Sequence, residues 1–302
     1  MEVIFGLKKI KKYKRPVVTL GVFDGLHLAH RYILKEVTKI ARQIKGTSLV
    51  ITFWPHPQRE ESLYSLSHRL KLIADFGIDV CIVIKFNQAF AKIKAEDFVK
   101  NILVRRINPE YICVGENFTF GYKGRGNWCL LKKLAFLYNF KLKVLKTIKI
   151  GRRRISSTYI RQLISQGKLE KAKKLLNHPV SILGTVIKGR ALGKKLGFPT
   201  ANINPHHEVL PPCGVYAVKV IFNQKRLNGL CYIGARPTFQ KIEKTKYVEV
   251  YILNFKKNIY AQNLELNFIK KIRNEKKFSS PSLLILQIKK DINKAKKLFS
   301  HH

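Results

Sequence analysis

A change of rhythm part-way along the chain constrains its fold more than any other feature. In the first half, short β-rich runs alternate with helical patterns: Val17–Leu20 and Ser48–Phe53 read as buried strands, Tyr32–Ile44 as the helix between them, and Val80–Ile84 and Tyr111–Val114 as further strands. Such alternation predicts a Rossmann-like α/β domain, a parallel sheet covered by helices with ligands at the carboxyl ends of its strands. After a helical pattern over Ser157–Leu176 come short β-rich segments, Ser181–Ile187, Val215–Phe222, Gly229–Ile233, Tyr247–Ile252 and Leu264–Phe268, punctuated by Gly, Pro and Asn. They predict a small antiparallel β-barrel, with the helical pattern Ser282–Phe299 packed against it as a terminal helix. The boundary is expected near His178–Pro179, giving domains over residues 1–179 and 180–302.

Composition narrows the functional classes. The five cysteines (Cys81, Cys113, Cys129, Cys213, Cys231) are odd in number and form no CxxC pair, which suggests reduced thiols in a cytoplasm. No apolar run approaches the roughly 20 residues of a membrane span, so secretion and membrane insertion are not expected. Lys and Arg number 59 against 18 Asp and Glu, a formal charge of +41 that ordinarily points to nucleic acid or an anionic surface. The lysines are spread along the whole length with abundant Ile and Asn, the pattern of an AT-biased genome. The densest clusters, Lys8–Arg15 and Lys270–Lys277, are short. No specific nucleic-acid partner is expected from that distribution.

Two phosphate-handling signatures stand out. GVFDGLHLAH at Gly21–His30 follows the first strand directly; its glycines permit a tight turn, and His27 and His30 lie three apart at a helix start, where anions are favoured. In ISSTYIR, Ser157 and Thr158 offer hydroxyls before a helical run, and Arg161 projects one turn in. Taken alone, that segment is better explained by ordinary helix capping. GKKLGFPTAN at Gly193–Asn202 is the second signature. Thr200 and Asn202 are neutral oxygen donors two apart, so in extended chain they face one side, a pairing suited to Mg²⁺ beside nucleotide phosphates. No GxxxxGK[ST] loop is present.

VTLGVFDGLHLAH, ITFWPHP, VGENFTFG and ISSTYIR, followed by LGFPTAN, GVYAV, IGARPTF, EVYILNF and KFSSPSLLILQIKKDI, cover nearly the whole chain. In that order they resemble the bacterial bifunctional riboflavin kinase/FMN adenylyltransferase family, also called FAD synthetase. The resemblance implies a nucleotidyltransferase-like first domain that makes FAD from FMN and ATP. It implies a riboflavin kinase barrel that makes FMN from riboflavin and ATP, with Mg²⁺ serving both steps. It assigns His27 and His30 to the ATP phosphates within the turn Gly21, Phe23, Asp24 and Gly25, and Ser157, Thr158 and Arg161 to the triphosphate. Asn117 and Phe118 lie near the flavin by the same likeness, whereas Phe118 and Phe120 also suit a core, and His56 either lines the site or orders a turn.

In the barrel the resemblance assigns Glu249 as the base, Thr200 and Asn202 as the Mg²⁺ ligands, and Gly184, Gly189, Lys195, Gly197 and Pro199 to the ATP loop. For Arg273 a flavin-capping role and a solvated helix start both remain open. Four positions depart from the family pattern: Ala29 replaces the glycine of HxGH, Tyr251 a frequent His, Asn254 a frequent Asp and Ala261 a frequent Gly. Two rivals follow: a kinase whose first site has decayed at Ala29, and a basic nucleic-acid-binding protein on a nucleotidyltransferase-like fold. RNA binding requires neither the PTAN segment nor Glu249.

Overall fold

A computed structural model of the protein describes residues 1–56, 62–151, 153–189, 193, 196–236 and 245–300. It divides into two compact units, one of Met1–Ser62 with Leu66–Ser157, the other running on from Thr158 and including Leu63–Ser65. The short excursion has a physical cause: the buried Glu208 carboxylate accepts the backbone N–H of Ser65 at 2.8 Å and of Leu183 at 3.0 Å, fastening both to the second unit.

The first unit is built on six parallel strands, β1 (Glu2–Phe5), β2 (Val17–Leu20), β3 (Ser48–Trp54), β4 (Val80–Lys85), β5 (Tyr111–Gly115) and β6 (Lys141–Leu145). Their order is β1-β4-β3-β2-β5-β6. All four residues of β2 are buried because helices cover both faces of the sheet. Val18 and Leu20 face one apolar cluster, Val17 the other. Helix α1 (Leu28–Gln43) closes the second face with Leu34, Val37, Thr38, Ile40 and Ala41, one stripe at helical spacing. Helix α2 (Leu66–Ala74) buries His68, Arg69 and Ile73. The chain builds outward from β2 in both directions, so the sheet order reverses there. The loops leaving β2, β3 and β5 share the carboxyl edge where such sheets take ligands. A small hairpin of β7 (Lys149–Ile150) and β8 (Arg153–Arg154) follows the sheet.

In the second unit the expected helical stretch 157–176 is two helices, Ser157–Ser165 and Leu169–Leu176, because Gly167 takes φ 74 between them. Six strands then close a barrel: β9 (Ser181–Ile187), β10 (Ala201–Asn204), β11 (Gly214–Phe222), β12 (Lys225–Arg236), β13 (Thr245–Ile252) and β14 (Asn263–Arg273). All neighbours are antiparallel. Cys231, Ile233, Val248 and Val250 fill the interior. The terminal helix Pro281–Phe299, capped by Ser280 through Leu283 N at 3.3 Å, lays Ala295 and Phe299 on Val215, Ala217 and Leu230 of the outer face.

Candidate active sites

The turn from β2 into α1 is held in an unusual backbone conformation. Phe23, Gly25 and Leu26 have φ of 53, 83 and 37°, a region natural to glycine but costly to the other two. Burial holds those two there: Phe23 is 1% exposed and Leu26 0%. Gly21 lies against the Phe23 ring, which stands edge-on to His30 with centroids 5.3 Å apart. His27 is the residue before the first turn of α1 and caps it with no side-chain bond, so its ring is free to stack on His30 at 3.8 Å and 16°.

Burial pushes His27 from an ordinary 6.5 down to about 4, against the opposing pull of Asp24. His30 is driven well below its ordinary value by burial first and then by the charges of His27 and Arg69. Both imidazoles are therefore neutral at physiological pH. Each retains a buried Nδ1 without a hydrogen-bond partner among the described residues. Ring nitrogens of this kind beside the N–H groups of a helix start are chemically suited to phosphate oxygens.

The other candidates fall on the loops that leave the strands of the sheet and on the helix that follows it. Asp24 is buried, and its carbonyl accepts the Ser157 hydroxyl at 2.7 Å, which ties Ser157 to the turn. Thr158 and Arg161 follow on the same helix within the second unit, where Arg161 is buried. Beyond β5, which pairs with β2, the Asn117 amide donates to Thr147 Oγ1. Phe118 stacks on Phe120 at 5.5 Å; Phe120 belongs to the core and Phe118 packs against it. His56 follows β3, half-buried, on the other side of β2. Sequence reasoning missed Arg69, a fully buried side chain whose guanidinium donates to the carbonyls of Val22 and Phe53 at this edge. A lone arginine in an amphipathic pattern reads as solvated, so no signal marked it.

The barrel assembles a second set. Asn202 is the cross-strand partner of Glu249, so their side chains share a face, and Thr200 donates to Glu249 Oε2 at 3.2 Å. Val248 and Val250 point inward, which turns Glu249 outward. The preceding loop presses on both neutral donors. A Cβ at Gly189 would stand 1.9 Å from Asn202 Nδ2, and one at Gly193 3.0 Å from Thr200 Oγ1. Gly197 turns the chain with φ 83 before Phe198, which meets Tyr251 edge-on at 5.8 Å, and Pro199 leads into β10.

Lys195 lies outside the described residues. Gly184 lies inside β9 rather than in the loop; a Cβ there would stand 2.3 Å from Ile203 Cγ2, so close strand packing accounts for it. Arg273 is anchored by an ion pair to the buried Asp291 at 2.8 Å and lies over Phe278. Tyr232, the partner of Glu249 on β12, was not singled out from sequence; its hydroxyl donates to Glu275. A hydroxyl, an amide oxygen and a carboxylate are hard oxygen donors, few enough to leave Mg²⁺ its water and phosphate ligands, so the set fits that ion.

Comparison with known proteins matches two successive families along the chain. Residues 9–159 match the family described as FAD synthetase, and residues 176–299 the family described as riboflavin kinase. The chain is 39% identical over 310 residues to a bifunctional riboflavin kinase/FMN adenylyltransferase of Buchnera aphidicola subsp. Schizaphis graminum, covering 99% of each chain. It is 34% identical to the protein of that name from Escherichia coli K12, over 99% of this chain and 98% of the other. A solved Streptococcus pneumoniae structure described as a macrolide-efflux protein is similar with a TM-score of 0.84 and 27% identity, covering 98% of this chain and 99% of that one. No helix among the described residues is long and apolar enough to cross a membrane.

Proposed function

The chain belongs to the bifunctional riboflavin kinase/FMN adenylyltransferase family, and we propose that it phosphorylates riboflavin to FMN on its barrel and adenylylates FMN to FAD on its parallel sheet, with ATP the donor in both. One observation supports the reading: the chain holds two polar clusters of opposite character, a neutral imidazole pair at a helix start and a carboxylate beside two neutral oxygen donors. Each suits one of the two reactions.

Riboflavin offers an alcohol, a poor nucleophile until a base takes its proton. In this reading Glu249 accepts that proton as the hydroxyl attacks the ATP γ-phosphorus and ADP leaves. Bound Mg²⁺, held by Thr200 and Asn202, would neutralise phosphate charge. Gly189 and Gly193 let the loop backbone come close to those donors, Gly197 turns the chain and Pro199 leads into β10.

FMN brings a phosphate already largely ionised at neutral pH, its second pKa being about 6. Its attack on the ATP α-phosphorus, with pyrophosphate leaving, needs charge stabilisation rather than a base. His27 and His30 donate to the phosphate oxygens in their Nδ1–H tautomers; Ser157, Thr158 and Arg161 hold the triphosphate. Asn117 and Phe118 flank the flavin. The five unpaired cysteines, three of them buried, support placing the enzyme in the cytoplasm. Incubating the purified chain with riboflavin, ATP and Mg²⁺ and separating the flavins tests the proposal: both FMN and FAD are expected. FMN alone would favour the kinase-only rival, and neither product would overturn the reading.

A further inference from the structure

Arg69 has no role in the chemistry described so far, yet it is the bulkiest fully buried side chain among the described residues. It rises from α2 to the carboxyl edge of the sheet. There Nη1 donates to Val22 O and, at 3.4 Å, to Thr52 Oγ1, while Nη2 donates to Phe53 O at 3.3 Å. Thr52 itself donates to Val22 O at 3.1 Å, and the guanidinium lies over the Trp54 ring. One side chain thus fastens the turn leading to His27 to the end of the neighbouring strand.

A guanidinium out of water costs several kcal/mol unless its surroundings compensate, and among the described residues its hydrogen bonds go to carbonyls and a hydroxyl rather than to a bidentate carboxylate. Asp24 supplies the opposing charge, yet burial still makes Arg69 easier to deprotonate than usual. A lysine or arginine spread over the surface would serve stability more cheaply. What the buried position provides is a fixed cation and a rigid fork beside the imidazole pair.

We propose that Arg69 is the positioning residue of the adenylyl-transfer site, locking the carbonyl edges of β2 and β3 so that the stacked His27–His30 pair faces the phosphates, and holding a permanent cation next to it. The proposal rests on the adenylyl-transfer reading above. Among the described residues, the charged and titratable groups bearing on the pair are Arg69, Asp24 and Arg154 together with the two imidazoles themselves. Removing the Arg69 cation relieves a repulsion that disfavours protonated His30, so His30 then protonates at higher pH.

The test compares Arg69→Met and Arg69→Lys with the parent in three measurements: FMN-to-FAD kinetics across pH, riboflavin-to-FMN kinetics, and thermal midpoint. Replacing a whole buried ion pair by apolar groups is often neutral for folding, but removing one member, here with buried Asp24 left behind, is strongly destabilising, so the thermal midpoint is read beside every rate. Arg69→Met is expected to lower kcat for FAD formation about 100-fold, the scale of a small misplacement of catalytic groups. FMN formation should be unchanged, and the acid limb of FAD formation should move to higher pH. Arg69→Lys, which keeps the cation but loses the fork, should fall between, with the limb in place. If Arg69→Met fails to fold, Arg69→Lys decides by its kcat at an unshifted thermal midpoint. Parental FAD rates in either folded variant, or losses that only track the thermal midpoint while the Arg69→Met limb stays put, would overturn the proposal. A parent that makes no FAD would instead remove the reading on which it rests.

Discussion

Replacing Glu249 by Gln should separate the two activities. The amide is nearly isosteric, and its oxygen can still accept the Thr200 hydroxyl that now lies 3.2 Å from Oε2, so the fold loses at most the difference between a charged and a neutral acceptor. That is on the order of 1 kcal/mol. The chemistry loses far more, because an amide cannot take the riboflavin proton. Loss of a general base costs about 10²–10⁴-fold, or roughly 3–5 kcal/mol of barrier at 1.36 kcal/mol per decade. FAD formation from supplied FMN should be untouched, since an ionised phosphate needs no base. Steady-state rates with riboflavin and with FMN as alternative substrates, on protein of unchanged thermal midpoint, make the measurement. A variant that phosphorylates riboflavin at the parental rate would remove Glu249 from this role; one that also loses FAD formation would refute the division of labour.

Three further outcomes are expected. Gly189→Ala puts a methyl 1.9 Å from Asn202 Nδ2, so the loop or the amide must move; overpacking of about 1–3 kcal/mol should lower FMN formation at least 5-fold without changing FAD formation from FMN. His27 is held near 4 against 6.5 in the unfolded chain, so the unfolded state binds the extra proton between those values; stability should be full above pH 6.5 and fall by up to about 3 kcal/mol as pH drops to 4, a slope that denaturant titrations should find reduced in His27→Gln. Ala29→Gly removes the half-buried methyl from the first turn of α1; FAD formation should rise about 5-fold while stability drops by roughly 0.5–1 kcal/mol, and equal kinetics in both proteins would show that the methyl does not crowd phosphate.

Legibility varied with how far each feature depended on partners remote in sequence. Strands β2, β3 and β4 announce themselves because both faces are buried, which leaves unbroken apolar runs. β1 and β6 sit at the sheet edges, and β6, KLKVL, carries lysines that suit an edge and disguise a strand. β10 is only ANIN; pairing with β9 and β13, not composition, makes it a strand. Glu249 was legible because acidic residues are scarce in this chain, 18 in all, and it stands in a β-rich segment that carries the family resemblance. Arg69 and Tyr232 were not, because nothing local separates a buried arginine from a solvated one or tells which strand faces β13. The departure at Ala261 became intelligible only in three dimensions: its φ is 60, a conformation that glycine adopts without cost.

The charge of the chain and the chemistry of its two sites belong to one problem. With 59 basic side chains against 18 acidic ones, a nucleotide feels attraction over most of the surface. Exposed lysines would therefore hold ATP without telling one phosphate from another. The groups that bear most directly on the reacting phosphates in the present reading are instead neutral or buried: His27 and His30 uncharged at neutral pH, Thr200 and Asn202 as neutral oxygen donors, Arg161 out of solvent. Inside a desolvated site such groups act at short range and in fixed directions, where salt screens them little, while the diffuse surface field is cut off within about 8 Å at physiological ionic strength. Raising salt should consequently weaken the delivery of ATP, seen in kcat/KM, well before it touches kcat. A kcat that falls in step with kcat/KM for both reactions would mean that the diffuse charge, and not these buried groups, stabilises the transition states.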